Sequence, residues 1–233
     1  MIKKNLLIIV PARSGSKSIK NKNMYKILRK PLINHTFESS YLINEKSKII
    51  HCSTNSKKIQ KLAKKYKINS DPLRPKKYAR DFSRDLEFVN HTLSIYRKKN
   101  ICFKYGLILR PTNPIRSKKS LNRSFKMFKN NKTAFSMKSI YPSKKTPFKT
   151  WIKKGKLLKP VVLIKNIHES FSSPRQKLPL TFDQTGTYEY FKINYKYKLN
   201  SVSGNKIMYY EISRNESLDI DNLKDLKNFK EFI

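Results

Sequence analysis

The amino-terminal part of the chain constrains the fold most strongly. Residues 5–10 read Asn-Leu-Leu-Ile-Ile-Val, an aliphatic run typical of a strand buried on both faces. Residues 11–22 follow directly and are small, polar and basic. A helix is predicted from Pro31, since the first turn of a helix tolerates proline. Its expected apolar side carries Leu32, Ile33, Phe37 and Tyr41.

Helical and strand patterns continue to alternate along the chain. Apolar residues spaced three or four apart predict helices around residues 59–66, 86–96 and 121–128, and a last helix over 223–229. Ser83 is a candidate cap for the second of these. Short apolar runs predict strands at 49–52, 105–110, 133–139, 187–191 and 208–212. This alternation indicates an α/β fold with a Rossmann-like, mostly parallel sheet and helices on both faces.

Residues 142–179 interrupt the alternation. Two apolar stretches, residues 151–152 and 157–164, flank a Lys-Lys-Gly-Lys sequence and predict an inserted β-hairpin. We therefore expect residues 1–233 to form one domain with an insertion at about 142–179.

The charge balance is extreme, with 53 Lys and Arg residues against 15 Asp and Glu, a net charge of +38. Taken alone, this favours a non-catalytic nucleic-acid-binding protein. The lysines recur from Lys3 to Lys230, however, together with many Ile, Asn, Tyr and Phe residues that share A/T-rich codons. Genome composition is therefore an alternative explanation, which makes nucleic acid the less favoured partner. Whatever its origin, a net positive charge of this size attracts small anions such as nucleotides and acidic sugars.

A membrane span and a secretion signal are not expected. The longest aliphatic stretch, residues 6–10, is far shorter than the roughly 20 apolar residues of a spanning helix. Pro11 ends it below the length of a signal-peptide core. Two cysteines, Cys52 and Cys102, cannot form a disulfide framework. We expect a cytoplasmic protein.

The segment 11–23 is the strongest candidate for an anion site. A loop in this place can turn backbone N–H groups toward a phosphate, with Gly15 permitting close approach. Arg13, Lys17 and Lys22 supply counter-charge. The segment is neither a Walker loop nor a GxGxxG fingerprint, and an ordinary basic turn remains the alternative.

Asp219 and Asp221 form the second candidate, in a chain where carboxylates are scarce. In an extended segment they share one face, and two carboxylates suit a Mg²⁺ ion that keeps waters and nucleotide phosphates as its other ligands. The alternative is that one of them caps the helix beginning near Asn222.

Six short motifs resemble, in order, those of the cytidylyltransferases that activate sialic acid and related nine-carbon 2-keto sugar acids. The first is Pro-Ala-Arg-x-Gly-Ser-Lys at residues 11–17, followed by Lys22 and Asn23. The others are Ser-Thr-Asn at 53–55, Arg-Pro at 74–75, Leu-Arg-Pro-Thr-Asn-Pro-Ile-Arg at 109–116, Pro-Arg-Gln-Lys-Leu-Pro at 174–179 and Glu-Ser-Leu-Asp-Ile-Asp at 216–221. The resemblance spans nearly the whole chain.

This resemblance implies a fold of the nucleotide-diphospho-sugar transferase type and a Mg²⁺-dependent reaction of CTP with an acidic sugar. The products would be a CMP-sugar and pyrophosphate, the sugar being of the sialic, legionaminic or pseudaminic type. It also implies a homodimer, with the inserted segment reaching the neighbouring subunit. The implied residues are Arg13, Lys22, Asp219 and Asp221 for catalysis, with both aspartates on the metal; Arg13, Ser14, Gly15, Ser16, Lys22, Asn23, Arg74 and Arg110 for the nucleotide; and Arg175, Gln176 and Tyr188 for the sugar.

Three residues depart from the family pattern. Arg110 replaces a usual Gln that takes part in reading cytosine, and an arginine has donors only. Ser18 replaces a Gly, and Asn55 replaces an Asp. These differences favour a legionaminic- or pseudaminic-type sugar over sialic acid, and leave open another nucleotide or a member without activity.

Overall fold

A computed structural model describes residues 1–15, 18–194 and 198–229. In this part of the chain it contains ten strands and five α-helices. The strands are β1 (Ile2–Pro11), β2 (Lys26–Ile27), β3 (Lys30–Pro31), β4 (Lys48–Ser53), β5 (Ile101–Ile108), β6 (Ser136–Pro142), β7 (Trp151–Lys154), β8 (Leu157–Pro160), β9 (Phe182–Lys192) and β10 (Ile207–Glu211). The helices are α1 (Leu32–Tyr41), α2 (Lys57–Lys65), α3 (Asp85–Lys98), α4 (Lys118–Asn130) and α5 (Leu223–Asn228).

Six strands form a central sheet in the order β10-β6-β9-β5-β1-β4. β1 pairs in parallel with β4 and β5, and β10 pairs in parallel with β6. β9 runs antiparallel to both of its neighbours, β5 and β6. The predicted mostly parallel sheet is confirmed, with one reversed strand that the sequence pattern did not reveal. The loops after β1, β4 and β5 leave the same edge of the sheet, where ligands bind in such folds.

The first strand is buried on both faces, as its aliphatic run predicts. Leu6, Ile8 and Val10 pack into one apolar cluster, which includes residues of α1, α2 and α4. Leu7 and Ile9 point the other way, into a cluster that includes residues of α3. Helices therefore cover both faces of the sheet, and the strand is fixed in register with its loop at the sheet edge.

Two local predictions are wrong. Tyr41 does not face the core; it is 46% exposed, and its hydroxyl donates to the carbonyl of Tyr66 at 2.5 Å. Ser83 does not cap α3, because the helix is preceded by Arg84. The backbone N–H of Arg84 donates to the side chain of Glu87 at 3.1 Å, so the cap comes from within the helix.

The inserted hairpin is confirmed. β7 and β8 pair antiparallel around a turn in which Gly155 has a φ of 62°. Several large apolar side chains of this segment are exposed: Trp151, Ile152, Leu157, Leu158, Val161, Val162, Leu163 and Ile167. The division into one domain with an insertion at 142–179 stays a prediction.

Within the described residues, no helix combines the length and the hydropathy that crossing a bilayer requires.

Candidate active site

The basic turn after β1 is held from both sides. The backbone N–H of Ser14 donates to Asn55 Oδ1 at 2.7 Å, and Asn23 Nδ2 donates to the carbonyl of Arg13 at 3.1 Å. Gly15 has a φ of 85°, in the left-handed region that glycine adopts without strain. Asn55 thus provides the acceptor that an aspartate would provide, without its charge.

Ser16, a predicted nucleotide-binding residue, lies outside the described residues, as does Lys17.

The aspartate segment is extended, and its side chains alternate as expected. Leu218 and Ile220 are buried, at 9% and 0% exposure, while Asp219 and Asp221 are exposed. Neither aspartate caps α5, because Asn222 is the cap residue and its side chain accepts from the first turn. Both side chains thus lie on one face of the segment, and neither is used to cap the helix.

The loop after β5 fixes this segment in place. The backbone N–H of Ile220 donates to the carbonyl of Thr112 at 2.8 Å. Asn113, which is fully buried, donates its side-chain N–H to the carbonyl of Leu218 at 3.1 Å. Two loops that were predicted separately therefore form one ordered surface.

Lys22 joins the basic turn to the aspartate segment. Its side-chain nitrogen donates to the carbonyl of Ile220 at 2.9 Å and to Asp221 Oδ1 at 3.0 Å. Lys22 is only 8% exposed, so this connection is largely shielded from solvent. The sequence places these residues almost at opposite ends of the chain, and the fold brings them into direct contact.

The two aspartates influence each other electrostatically. Partial burial raises the pKa of the Asp219 carboxyl, and the negative charge of Asp221 raises it further. Two neighbouring carboxylates that resist simultaneous ionisation form a favourable place for a cation. The donor set therefore fits Mg²⁺, with two carboxylate ligands and positions left for water and phosphate oxygens.

A cavity of about 260 Å³ opens beside this contact. Five predicted nucleotide-binding residues line it: Arg13, Lys22, Asn23, Arg74 and Arg110. Ser14 instead lines a smaller neighbouring cavity of about 70 Å³, which Arg13 and Asn23 share. The predicted residues of the first turn thus surround one region of the surface, rich in positive charge.

Arg13 is paired with a carboxylate that the sequence analysis did not single out. Its Nη1 lies 2.5 Å from Asp81 Oδ1 on the cavity wall. Arg80 also lines the cavity and adds a second guanidinium to the same wall.

Arg74 has a structural contact as well as a place in the cavity wall. It is 5% exposed, and both its Nε and Nη2 donate to Ser53 at the end of β4. Its guanidinium carbon lies 5.0 Å from the centre of the Phe88 ring. Burial lowers the pKa of Arg74 to about 10. These contacts hold the end of β4 against α3.

Arg110 forms ion pairs with two carboxylates, Asp85 and Glu189. Burial lowers its pKa, but these two negative charges more than offset that effect and the net pKa is raised. Gly186 packs against this arginine so closely that a Cβ there would lie 2.6 Å from Arg110 Cδ. The positive charge of the arginine that replaces the family's usual Gln at residue 110 is thus balanced by two neighbouring carboxylates.

The predicted sugar-binding residues do not line this cavity. Arg175 and Gln176 lie on an exposed 3-10 turn, where Arg175 Nη2 donates to the carbonyl of Ser143 at 2.9 Å. Tyr188 is fully buried, and its hydroxyl donates to Glu216 at 2.8 Å. The prediction that Tyr188 forms a wall of the sugar site is corrected by this burial, because the side chain has no exposed surface.

Three acidic residues at the site escaped the sequence analysis: Asp81, Asp85 and Glu189. One signal could have found them. The chain has only 15 Asp and Glu residues, so a carboxylate that lies close in sequence to a predicted basic segment is itself a signal of a candidate site residue.

Comparisons with known proteins show which family the chain resembles. A sequence model of the family described as cytidylyltransferase matches residues 7–232. The chain is 27% identical over 227 residues to the CMP-N,N'-diacetyllegionaminic acid synthase of Legionella pneumophila, covering 93% of this chain and 90% of that protein. It is 32% identical over 123 residues to the N-acylneuraminate cytidylyltransferase of Escherichia coli, covering 53% of this chain but 28% of that protein.

A match to the pseudaminic acid cytidylyltransferase of Campylobacter jejuni is 28% identical over 129 residues and covers 55% of each chain. The matched part is therefore less than two thirds of the Escherichia coli and Campylobacter proteins.

Solved structures share the fold at low sequence identity. A CMP:2-keto-3-deoxy-manno-octonic acid synthetase aligns with a TM-score of 0.68 and 12% identity over 97% of both chains. The 4-diphosphocytidyl-2C-methyl-D-erythritol synthase from Anaerococcus prevotii aligns with a TM-score of 0.61 and 13% identity over 98% of both chains. With a family match over almost its entire length, this chain belongs to the cytidylyltransferase family.

Proposed function

We propose that the protein transfers the CMP group of CTP to an acidic nine-carbon 2-keto sugar and releases pyrophosphate. The family and the names of its relatives support this reaction. The observation that carries the proposal is the contact of Lys22, which lines the cavity, with Ile220 and Asp221, because it joins the aspartate segment to the basic residues of the cavity wall. Such a site suits a triphosphate that carries a metal ion.

In the proposed reaction, the anomeric hydroxyl of the sugar attacks the α-phosphorus of CTP and the bond to the departing pyrophosphate breaks. Arg13 and Lys22 would bind phosphate oxygens through charge-assisted hydrogen bonds. The turn at Gly15 would add backbone N–H groups, with Ser14 and Asn23 beside it, and Ser16 stays a nucleotide-binding residue proposed from the sequence. No covalent intermediate with the protein is needed, so the rate depends on positioning and charge stabilisation.

Asp219 and Asp221 would hold the magnesium ion on the face they share. When bound, the ion would neutralise phosphate charge and increase the acidity of the attacking hydroxyl. Lys22 would keep Asp221 oriented through the 3.0 Å contact. The same lysine would contact both Asp221 and the phosphates, so one side chain would position the metal ligand and the triphosphate relative to each other.

The sugar in this proposal is a legionaminic- or pseudaminic-type acid. One match that covers most of both chains is to a diacetyllegionaminic acid synthase, and Arg110 departs from the sialic-acid pattern. Arg175 offers a guanidinium that can bind a carboxylate with two hydrogen bonds, and Gln176 stands next to it on the same turn. The comparisons give no support to a nucleic-acid-binding protein.

A homodimer in the cytoplasm completes the proposal. The exposed apolar residues of the β7–β8 hairpin and the segment after it form a surface that a second copy would cover. Cys52 and Cys102 are both buried free thiols, as expected in a reducing compartment.

The test is an assay of pyrophosphate release with each of the four nucleoside triphosphates, Mg²⁺ and a panel of acidic nine-carbon sugars. We expect release with CTP and a legionaminic- or pseudaminic-type acid, and a loss of orders of magnitude in Asp221→Asn with the fold intact. Release with another nucleotide or with sialic acid would revise the substrates. Undiminished release in Asp221→Asn would remove the metal assignment, and no release with any pair would contradict the enzyme.

A further inference from the structure

The cavity wall contains an acidic residue, Asp85, which lies beside Arg110 and adds hydrogen-bond acceptors to its donors. An arginine has only donors, so Arg110 alone cannot match a base edge that both donates and accepts. We propose that Asp85 and Arg110 together read the nucleotide base, with Asp85 as the acceptor and Arg110 as the donor. This inference rests on the proposed function and assigns the base specificity of that same site.

The contacts of Arg110 define which of its donors are engaged. Nε donates to Glu189 Oε1 at 2.6 Å. Nη1 donates to Asp85 Oδ1 at 3.4 Å, and Nη2 donates to Asp85 Oδ2. These bonds use three of the five N–H groups, so each terminal nitrogen keeps a further N–H directed away from the carboxylate. Each Asp85 oxygen likewise keeps acceptor capacity, so the pair presents a donor and an acceptor side by side.

The surroundings keep this pair in a fixed orientation. Glu189 is 1% exposed and is shared between Arg110 and Lys138, whose Nζ lies 2.5 Å from Glu189 Oε2. Asp85 is the first residue of α3, so its backbone is set by the helix. The pair is nevertheless accessible from the cavity, because the side chains of Arg110 and Asp85 are 30% and 36% exposed.

The cavity wall also offers aromatic surface for a planar base. Tyr78 and Phe88 line the cavity together with Asp85 and Arg110, and Arg13 and Lys22 are the proposed phosphate ligands on the same wall. Aromatic surface with a few polar groups is the usual environment of a bound base, and basic groups are that of its phosphates. The base would therefore meet Asp85 and Arg110 while the triphosphate extends toward Lys22.

The pair matches cytosine by chemistry. Cytosine has an amino group at position 4, which a carboxylate accepts, and acceptors at N3 and O2, which a guanidinium satisfies. Uracil in the same orientation would direct its 4-carbonyl oxygen at the Asp85 carboxylate and its N3–H at the Arg110 donors. Both contacts would be repulsive, so the pair would favour CTP over UTP.

Asp85→Asn tests the proposal, because an amide can present either an N–H or an oxygen to the base. Arg110 stays anchored in this variant through Glu189. The readout is the ratio of CTP to UTP affinity by calorimetric titration with Mg²⁺ and without sugar. We expect the ratio to fall about tenfold or more in the variant.

Asp81→Asn is the matched control, since it removes a carboxylate paired with an arginine on the same cavity wall. We expect it to change CTP and UTP binding by the same factor. If Asp85→Asn does not fold, Arg110→Lys replaces it, with the same expected fall in the ratio. A wild type that prefers CTP and a variant with an unchanged ratio would overturn the inference alone. A wild type that binds no triphosphate would overturn the proposed function with it.

Discussion

Lys22 Nζ lies 3.0 Å from Asp221 Oδ1 and 2.9 Å from the carbonyl oxygen of Ile220, although 198 residues separate Lys22 from Ile220 in the sequence. One buried ammonium therefore holds the segment of the two aspartates against the turn that follows the first strand. The proposed metal site and the proposed phosphate site share this side chain, which makes their geometry interdependent.

Replacing Lys22 with Met should weaken both the fold and CTP binding. The change leaves the Ile220 carbonyl and the Asp221 carboxylate without this donor, at a cost of about 1–3 kcal/mol. Thermal unfolding and calorimetric titration with CTP measure the two effects. Lys20→Met, which removes an exposed lysine from the same turn, is the control. Equal behaviour of the two variants would show that the buried contact has no special role.

The pKa of Asp219 should fall when the charge of Asp221 is removed. Burial is the first cause of its raised value and the neighbouring carboxylate is the second, so Asp221→Asn removes only the second. Carbon-detected NMR titration of the Asp219 carboxyl in both proteins measures this change. In the wild type, Mg²⁺ affinity should decrease as pH falls through the raised pKa, because protonation removes the ligand. An unchanged Asp219 titration in the variant would mean that the two carboxylates do not interact.

Gly186→Ala should disturb the position of Arg110. The added Cβ would lie 2.6 Å from Arg110 Cδ and 2.5 Å from Asn113 Oδ1, so both side chains must move or the backbone at residue 186 must shift. We expect a loss of about 1–3 kcal/mol in the free energy of unfolding and weaker nucleotide binding. Gly155→Ala in the hairpin turn has no neighbouring atom within 4 Å. It should lose stability only because alanine is strained at a positive φ, and it should bind CTP like the wild type. A larger loss of CTP affinity in Gly155→Ala than in Gly186→Ala would contradict the packing argument.

His51 should make the protein sensitive to acid. Burial lowers its pKa from 6.5 to about 3, assisted by the charges of His91 and Arg74. Between these values the unfolded chain binds a proton that the folded protein does not, so stability falls as pH decreases, by up to about 1.4 kcal/mol per pH unit. Denaturant unfolding at several pH values should show a smaller slope for His51→Gln. His168→Gln, a substitution at an exposed histidine, is the control with which this slope is compared.

Leu158→Lys should favour monomers if the hairpin forms the proposed dimer contact. Leu158 is 58% exposed on β8, and a charge there would be buried without a partner in the interface. Light scattering at several concentrations measures the mass. Met127→Lys introduces the same charge at an exposed position of α4 and should leave the mass unchanged. A wild type that is monomeric at all concentrations would refute the dimer.

Local patterns predicted the elements well, because periodicity and turn residues are properties of neighbouring positions. Burial on both faces produces the continuous apolar run of β1, and burial of one face produces the apolar stripes of the helices. The environment of Arg110 could not be predicted in this way, since its partners lie 25 and 79 residues away. The family resemblance alone implies a sugar-site role for Tyr188, whereas β9 is buried on both faces at this point, which places the side chain in the core.

The long separation between Lys22 and Ile220 also sets the order in which the two sides of this contact are synthesised. The turn that follows the first strand leaves the ribosome early, whereas its counterpart is made only after all six strands of the central sheet. A nascent chain that lacks the aspartate segment therefore lacks both proposed metal ligands, and its Lys22 ammonium has no Ile220 carbonyl to bind.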